Sequence, residues 1–288
     1  MYSGPLTAAW RARGTTTDMA DARRVALVTG ASAGIGRACA DLLAAGGWSV
    51  TGASRRGVAS AGWTGVVMDV DSDTAVSDGV DGVIKRDGRI DALVAAAGWG
   101  VAGAAEFTTI AEAKAQFETN FWGCVRVVQA VLPQMRAQGG GRIVLISSLG
   151  VVIGIPFQAY YSASKFAVEG FAEAFAYEVA PFGVHVTLVQ PGNIATDFTA
   201  SRLMASGSAG DAAYAAAMTK AVSAMERDEA NGAPASLVAA TVQRVLSANR
   251  PPRRVSVGKP AERVGLIAKR LLPYRVFEAA AKGSLGVG

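Results

Sequence analysis

The chain has 288 residues, enough for one large α/β domain or two small ones, and 51% of them are hydrophobic. No apolar run reaches the roughly 18 residues of a membrane-spanning helix. The net charge is +5, but residues 249–288 alone carry nine Lys/Arg against two Glu, a net +7, so the rest of the chain is slightly acidic and nucleic acid is excluded as a partner.

Residues 1–23 read as a flexible leader: Arg11, Arg13 and Arg23 lie among small polar residues without the apolar core of a secretory signal, and Met19 offers an alternative start. Strands are then expected at 25–29, 49–53, 65–68, 92–95, 142–146, 184–189 and 254–257. Between them lie helical patterns at 34–45, 71–86, 111–138, 160–180, 212–227 and 234–248. Strands alternating with helices in this way predict an α/β fold, a Rossmann-type doubly wound parallel sheet with helices on both faces, in a single domain over 24–258. Cys39 and Cys124 fall in separate helical patterns with no metal-ligand spacing, so both read as packing residues of a reducing, cytoplasmic compartment. His185, the single histidine, sits in the sixth strand among apolar neighbours, and no metal site is expected.

Strand one runs into Thr29-Gly30-Ala31-Ser32-Ala33-Gly34-Ile35-Gly36, which opens a helix. Glycines at 30, 34 and 36 allow a tight turn, close backbone approach to a pyrophosphate, and close helix–strand packing. The helix N-terminus then offers free N–H groups and positive dipole to phosphates. Three glycines alone make only a βα turn; with the strand before and the helix after, they point to a dinucleotide. Strand two ends in Ser54-Arg55-Arg56, where an acidic residue would favour NAD by binding both ribose hydroxyls. Arg55 suits a 2′-phosphate as a forked donor, which favours NADP(H) over NAD(H); a solvated loop arginine is the plain alternative.

Further along, Tyr161 and Lys165 stand four residues apart in a helical pattern and project from one face. A phenol titrates near 10, too high for ready proton exchange at neutrality, and a fixed ammonium nearby is expected to lower that value. Such a pair would serve as a proton donor and acceptor.

Together, Thr29-Gly30-x-x-x-Gly34-Ile35-Gly36, Asp69, Ala97-Gly98, Asn120, Ser148, Tyr161-x-x-x-Lys165 and Pro191-Gly192 resemble the short-chain dehydrogenase/reductase family, closely over 24–196 and loosely beyond. The resemblance implies that Tyr161 is the general acid and base, and that Lys165 binds the nicotinamide ribose and depresses the tyrosine. It further implies that Ser148 orients the substrate oxygen and that Asn120 holds a water linking Lys165 to solvent. Ser147 is expected instead to satisfy backbone groups at the strand end. Gly30, Ser32, Gly34, Ile35 and Gly36 would cradle the cofactor, with Asp69 and Val70 at the adenine and Ala97 and Gly98 beneath the ribose. Pro191, Gly192, Ile194 and Thr196 would enclose the nicotinamide. Asp69 reads alternatively as a helix N-terminal acid. One departure stands out: Ala95-Ala96-Ala97-Gly98 lacks the asparagine usual after the fourth strand, so altered hydrogen bonding is expected there.

The expected substrate side is apolar: Trp99, Val151, Ile153, Pro156 and Phe157, with Phe198, Leu203, Met204, Tyr214 and Met218 from a lid over 197–232. These residues read equally as core of the lid helices. A ketone or secondary alcohol on a bulky steroid-, retinoid- or long-acyl-like molecule follows as the expected substrate. The tail 259–288 is basic and amphipathic, with Val264, Leu266, Ile267, Leu271, Leu272, Val276 and Phe277 among cations. It could rest on an anionic membrane surface or pack on its own domain or a partner. Relatives lead one to expect a homodimer or homotetramer. A non-catalytic NADP-binding regulator is the rival reading, though a sensor has no need of Ser148, Tyr161 and Lys165.

Overall fold

The computed structural model describes residues 23–151, 154–210 and 212–284. Residues 1–22 of the expected leader 1–23, Ile153 and the end of the tail lie outside the described residues, as do the side chains of Val151, Leu266 and Ile267.

The strands are β1 (Val25–Thr29), β2 (Ser49–Ser54), β3 (Thr64–Val67), β4 (Ala92–Ala95), the two-residue β5 (Val101–Ala102), β6 (Gly141–Ile146), β7 (Val184–Pro191), the short β8 (Ile194–Ala195), β9 (Leu203–Met204) and β10 (Ala233–Pro234), and β11 (Arg254–Val257). The helices are α1 (Gly34–Ala45), α2 (Asp73–Asp87), α3 (Ile110–Phe117), α4 (Cys124–Ala137), α5 (Ala159–Val179), α6 (Ala212–Ala230), α7 (Ala235–Ser247), α8 (Pro260–Leu271) and α9 (Tyr274–Ser284).

Seven strands form one sheet in the order β11-β7-β6-β4-β1-β2-β3, with every pairing parallel. Central strands β1 and β4 are buried along their whole length, as their unbroken apolar runs require when both sheet faces are covered. On one face Leu27, Leu93, Ile143 and Leu145 pack against α2, α4 and α5 through residues such as Val80, Val131 and Phe175. On the other, Val28, Val94 and Val144 meet Leu43 of α1 and Val242 of α7. Each such buried aliphatic side chain contributes about 1.5–3 kcal/mol.

Helix ends follow local chemistry. Ser72 caps α2 by accepting from the Ala75 N–H, and Gly88 stops it in the left-handed region. Thr109 and Glu112 form a reciprocal capping box at α3. The continuous helix expected over 111–138 is not continuous. A π-helical turn over Glu118–Gly123 separates α3 from α4 and carries Asn120. A turn of that kind widens the backbone and re-aims one side chain.

Candidate functional site

The strand order reverses between the neighbouring strands β1 and β4, and a cavity of about 1020 Å³ opens there, at the carboxyl ends of the strands. The glycine turn forms one wall. Gly30 has φ +66°, and a Cβ on Gly36 would lie 2.3 Å from the Gly30 carbonyl oxygen, so only hydrogen fits at 36. Ala33, which precedes α1, has no capping side chain, so first-turn N–H groups of α1 are left for an anion. A Cβ on Gly34 would lie 3.4 Å from Thr196, in van der Waals contact, so the glycine turn and Thr196 border the cavity side by side.

The rest of this end is assembled from strand termini. Arg55 and Arg56 are exposed and line the rim, while the neighbouring Ser54 hydroxyl is buried without a hydrogen-bond partner. Asp69 and Val70 follow β3 on the same wall. Ala97 and Gly98 form the floor, where the Thr29 hydroxyl accepts from the Ala96 and Ala97 N–H groups at 3.1 and 3.2 Å. Thr29 thus ties β1 to the segment after β4, which lacks the usual asparagine. Free helical N–H groups, a backbone cradle that no side chain could enter, and two guanidinium groups at the rim suit a phosphate-bearing dinucleotide.

At the other end Ser148, Tyr161 and Lys165 converge on the same cavity, with Pro191, Gly192 and Ile194 beside them. Tyr161 and Lys165 are both buried on α5, and Ser148 Oγ accepts from the Gly150 N–H at 3.0 Å. Lys165 Nζ donates to the Ile146 carbonyl at 3.0 Å and lies 6.0 Å from the Tyr161 ring centroid. Asn120, 1% exposed, donates through Nδ2 to the Trp99 carbonyl and to Ser164 Oγ, and accepts from the Trp99 N–H through Oδ1. It stands behind the cavity wall; a Cβ on Gly98 would be 3.1 Å from Asn120 Oδ1 and 3.5 Å from Lys165 Nζ. The π turn therefore brings the Asn120 amide to the same space as the ammonium, the one that the missing side chain of Gly98 leaves open.

Electrostatics here differ from the expectation that Lys165 lowers the tyrosine. Burial pushes the Tyr161 phenol up, opposed chiefly by the nearby Ser148 hydroxyl. Burial also pushes the Lys165 ammonium down to about 8. Both groups are desolvated together, so both lean toward their neutral forms. A neutral phenol is a proton donor. Ser147 is a second correction: its hydroxyl is buried with no partner, and the strand end is satisfied by its backbone N–H donating to Val189 at 2.8 Å.

The substrate end is partly as expected. Trp99 lines it, and the Phe198 ring lies 5.7 Å from that of Tyr161. Pro156 and Phe157 do not line it; Leu149, Ile155 and Gln158 do. Phe157 turns instead toward Met218 and Tyr214 in a small separate core, which is why those lid residues are also absent from the wall. Leu203 is 58% exposed, because β9 pairs with β5 outside the cavity. Polar residues that sequence reasoning missed lie here. Glu229 lines the wall, bonded to Arg202 and to Thr199, and Gln158 lies three residues before Tyr161. Glu262 of α8 accepts from the Asn193 N–H at 3.1 Å, in the space that the missing side chain of Gly192 leaves.

Residues 24–206 match the profile of the family described as short chain dehydrogenase. A "3-ketodihydrosphingosine reductase" of Bacteroides thetaiotaomicron is 38% identical over 258 residues, which cover 89% of this chain and 96% of that one. "Retinol dehydrogenase 8" of Bos taurus is 37% identical over 196 residues, covering 62% of each. Among solved structures, a short-chain dehydrogenase from Streptomyces avermitilis superposes with a TM-score of 0.77 at 33% identity, covering 91% of this chain and 98% of that one.

Proposed function

The chain belongs to the short chain dehydrogenase family of oxidoreductases, and on that premise we propose that it interconverts a ketone and a secondary alcohol on a bulky apolar molecule, with NADP(H) favoured over NAD(H). The observation that carries this reading is the meeting of Ser148, Tyr161 and Lys165 at the cavity that the glycine turn also lines. The names of two relatives, a ketone reductase of a long-chain base and a retinol dehydrogenase, support the ketone–alcohol chemistry and the apolar substrate.

The glycine turn and the first turn of α1 hold the pyrophosphate, and Arg55 meets the 2′-phosphate. Asp69 and Val70 lie against the adenine, and Ala97 and Gly98 against its ribose. Pro191, Gly192, Ile194 and Thr196 hold the nicotinamide end. When bound, the nicotinamide gives or takes the hydride. Tyr161 donates its proton to the carbonyl oxygen during reduction and recovers it during oxidation. Ser148 donates a hydrogen bond to the same oxygen and fixes the carbonyl beside the phenol. Lys165 binds ribose hydroxyls, and Asn120 secures the backbone at Trp99 behind it.

Exposed Trp122, Phe166 and Tyr177 on the π turn and α5 support a homo-oligomer built through this face. Exposed Val264, Leu271, Leu272 and Val276 in the basic tail support contact with an anionic membrane surface; none of the described helices is long and apolar enough to cross a membrane. The test of the reaction uses purified protein, NADPH or NADH, and 3-ketodihydrosphingosine, with retinol and NADP⁺ for the reverse direction. Loss or gain of reduced-nicotinamide absorbance is expected with at least one pair; bound cofactor without turnover of either would reject the enzymatic reading.

A further inference from the structure

We propose that the substrate carries a hydroxyl or amino group close to its reacting carbonyl, and that the Gln158 amide and the Glu229 carboxylate form the subsite that receives it. This rests on the ketone–alcohol reading and narrows its substrate class.

Gln158 is 3% exposed, and its Nε2 has no hydrogen-bond partner. It occupies the N-cap position of α5, where a polar side chain commonly satisfies a free N–H, yet it makes no capping bond. Gln158 is among the residues that line the cavity, three residues before Tyr161 and so within one turn of it. The backbone just before it is held in an unfavourable shape. Phe157 has φ +58°, the one positive value at a non-glycine position among the described residues, and its carbonyl accepts from the Gly103 N–H at 2.8 Å. This fixes how the chain enters α5 and therefore where Gln158 points.

Glu229, near the end of α6, lines the same cavity with its side chain 14% exposed. One carboxylate oxygen pairs with Arg202, and the other accepts from Thr199 Oγ1 at 2.5 Å, which leaves further lone-pair capacity. The Arg202 guanidinium lies 6.0 Å from the Phe198 ring centroid, and that ring lies 5.7 Å from the Tyr161 ring, so one side chain separates the Glu229–Arg202 pair from the phenol. Asp228 adds a second, exposed carboxylate to the wall. Because Arg202 neutralises Glu229 in part, the subsite does not demand a full cation. A donor amide and an acceptor carboxylate together match a group that both accepts and donates: a hydroxyl or an amine. A plain hydrocarbon at this position would leave the Gln158 N–H groups buried and unpaired, as they are in the free protein, whereas a hydroxyl or amine would pair them, which favours the substituted ketone.

The test compares a plain long-chain alkyl ketone with its α-hydroxy and α-amino counterparts, using the NADPH-loaded protein and reading kcat/KM. The wild type is expected to prefer the substituted ketones by about tenfold to a hundredfold. Gln158→Leu should bring the ratio toward one, Gln158→Asn should restore part of it, and Glu229→Gln should lower the preference for the amine more than that for the hydroxyl. A wild-type ratio near one, or a ratio unmoved in all three variants, would overturn the proposal while leaving ketone reduction standing. Should no ketone turn over, calorimetric binding of the matching alcohols decides: the same affinity ratio and its loss in Gln158→Leu support the subsite, and equal affinities reject it.

Discussion

The two ends of the cavity are built by different rules. At the dinucleotide end, backbone does the shaping: Gly36 leaves room for nothing larger than hydrogen against Gly30, and the uncapped first turn of α1 supplies the donors. At the substrate end, residues from distant segments do it, Gln158 just before α5 and Glu229 on α6 both lining the cavity. The first end follows from a few adjacent residues and tolerates little change, whereas the second is assembled only by the fold and is where specificity can vary.

Four substitutions probe that contrast, in descending order of effect. Tyr161→Phe, at the junction of the two ends, should lower kcat by about 10²- to 10⁴-fold while cofactor affinity, read by fluorescence titration, stays at the wild-type value. A parallel loss of affinity would mean that the ends are not separable. Arg55→Ala should act only at the dinucleotide end, weakening NADPH by about tenfold to a hundredfold and leaving NADH unchanged. Equal kcat/KM for both cofactors in wild type and variant would remove Arg55 from the 2′-phosphate.

Lys165 gives a pH signature. Burial lowers its pKa from 10.5 to about 8 in the folded protein. Between those values the unfolded chain binds more protons than the folded one, so this group makes the cofactor-free protein more stable as pH rises from about 8 to about 10. Urea midpoints across that range should rise in the wild type relative to Lys165→Met; parallel curves would contradict the buried, depressed ammonium. Leu203→Ser, in the exposed β9, should change stability by no more than about 0.5 kcal/mol and leave KM alone. A raised KM would put the lid residue back in the cavity.

Much of the fold was legible because buried parallel strands read as apolar runs: Val25-Ala26-Leu27-Val28 has no other plausible place. Tyr161, Lys165 and the glycine turn were legible through spacing alone. The break at Glu118–Gly123 was not, since a π turn keeps helical composition and is betrayed only by the bonds Asn120 makes to Trp99 and Ser164. The lid residues Met218 and Tyr214 have the same apolar character whether they face a ligand or one another, so sequence left both readings open, and here they pack with Phe157. Gln158 carried one signal, its place three residues before Tyr161. Glu229 carried none, because it reaches the cavity only through the return of α6. The direction of the Tyr161 shift was missed because spacing reports a neighbouring charge and says nothing of how far burial has desolvated both groups.

The most direct test follows the hydride. Protein, NADPH deuterated at the transferable position of nicotinamide C4, and a long-chain ketone are mixed, and the product alcohol is analysed by mass spectrometry. Deuterium should appear on the carbinol carbon with the wild type and fall to trace level with Tyr161→Phe. An unlabelled product, or an equal amount of labelled alcohol from both proteins, would contradict a site in which this phenol protonates the oxygen as the cofactor reduces the carbon.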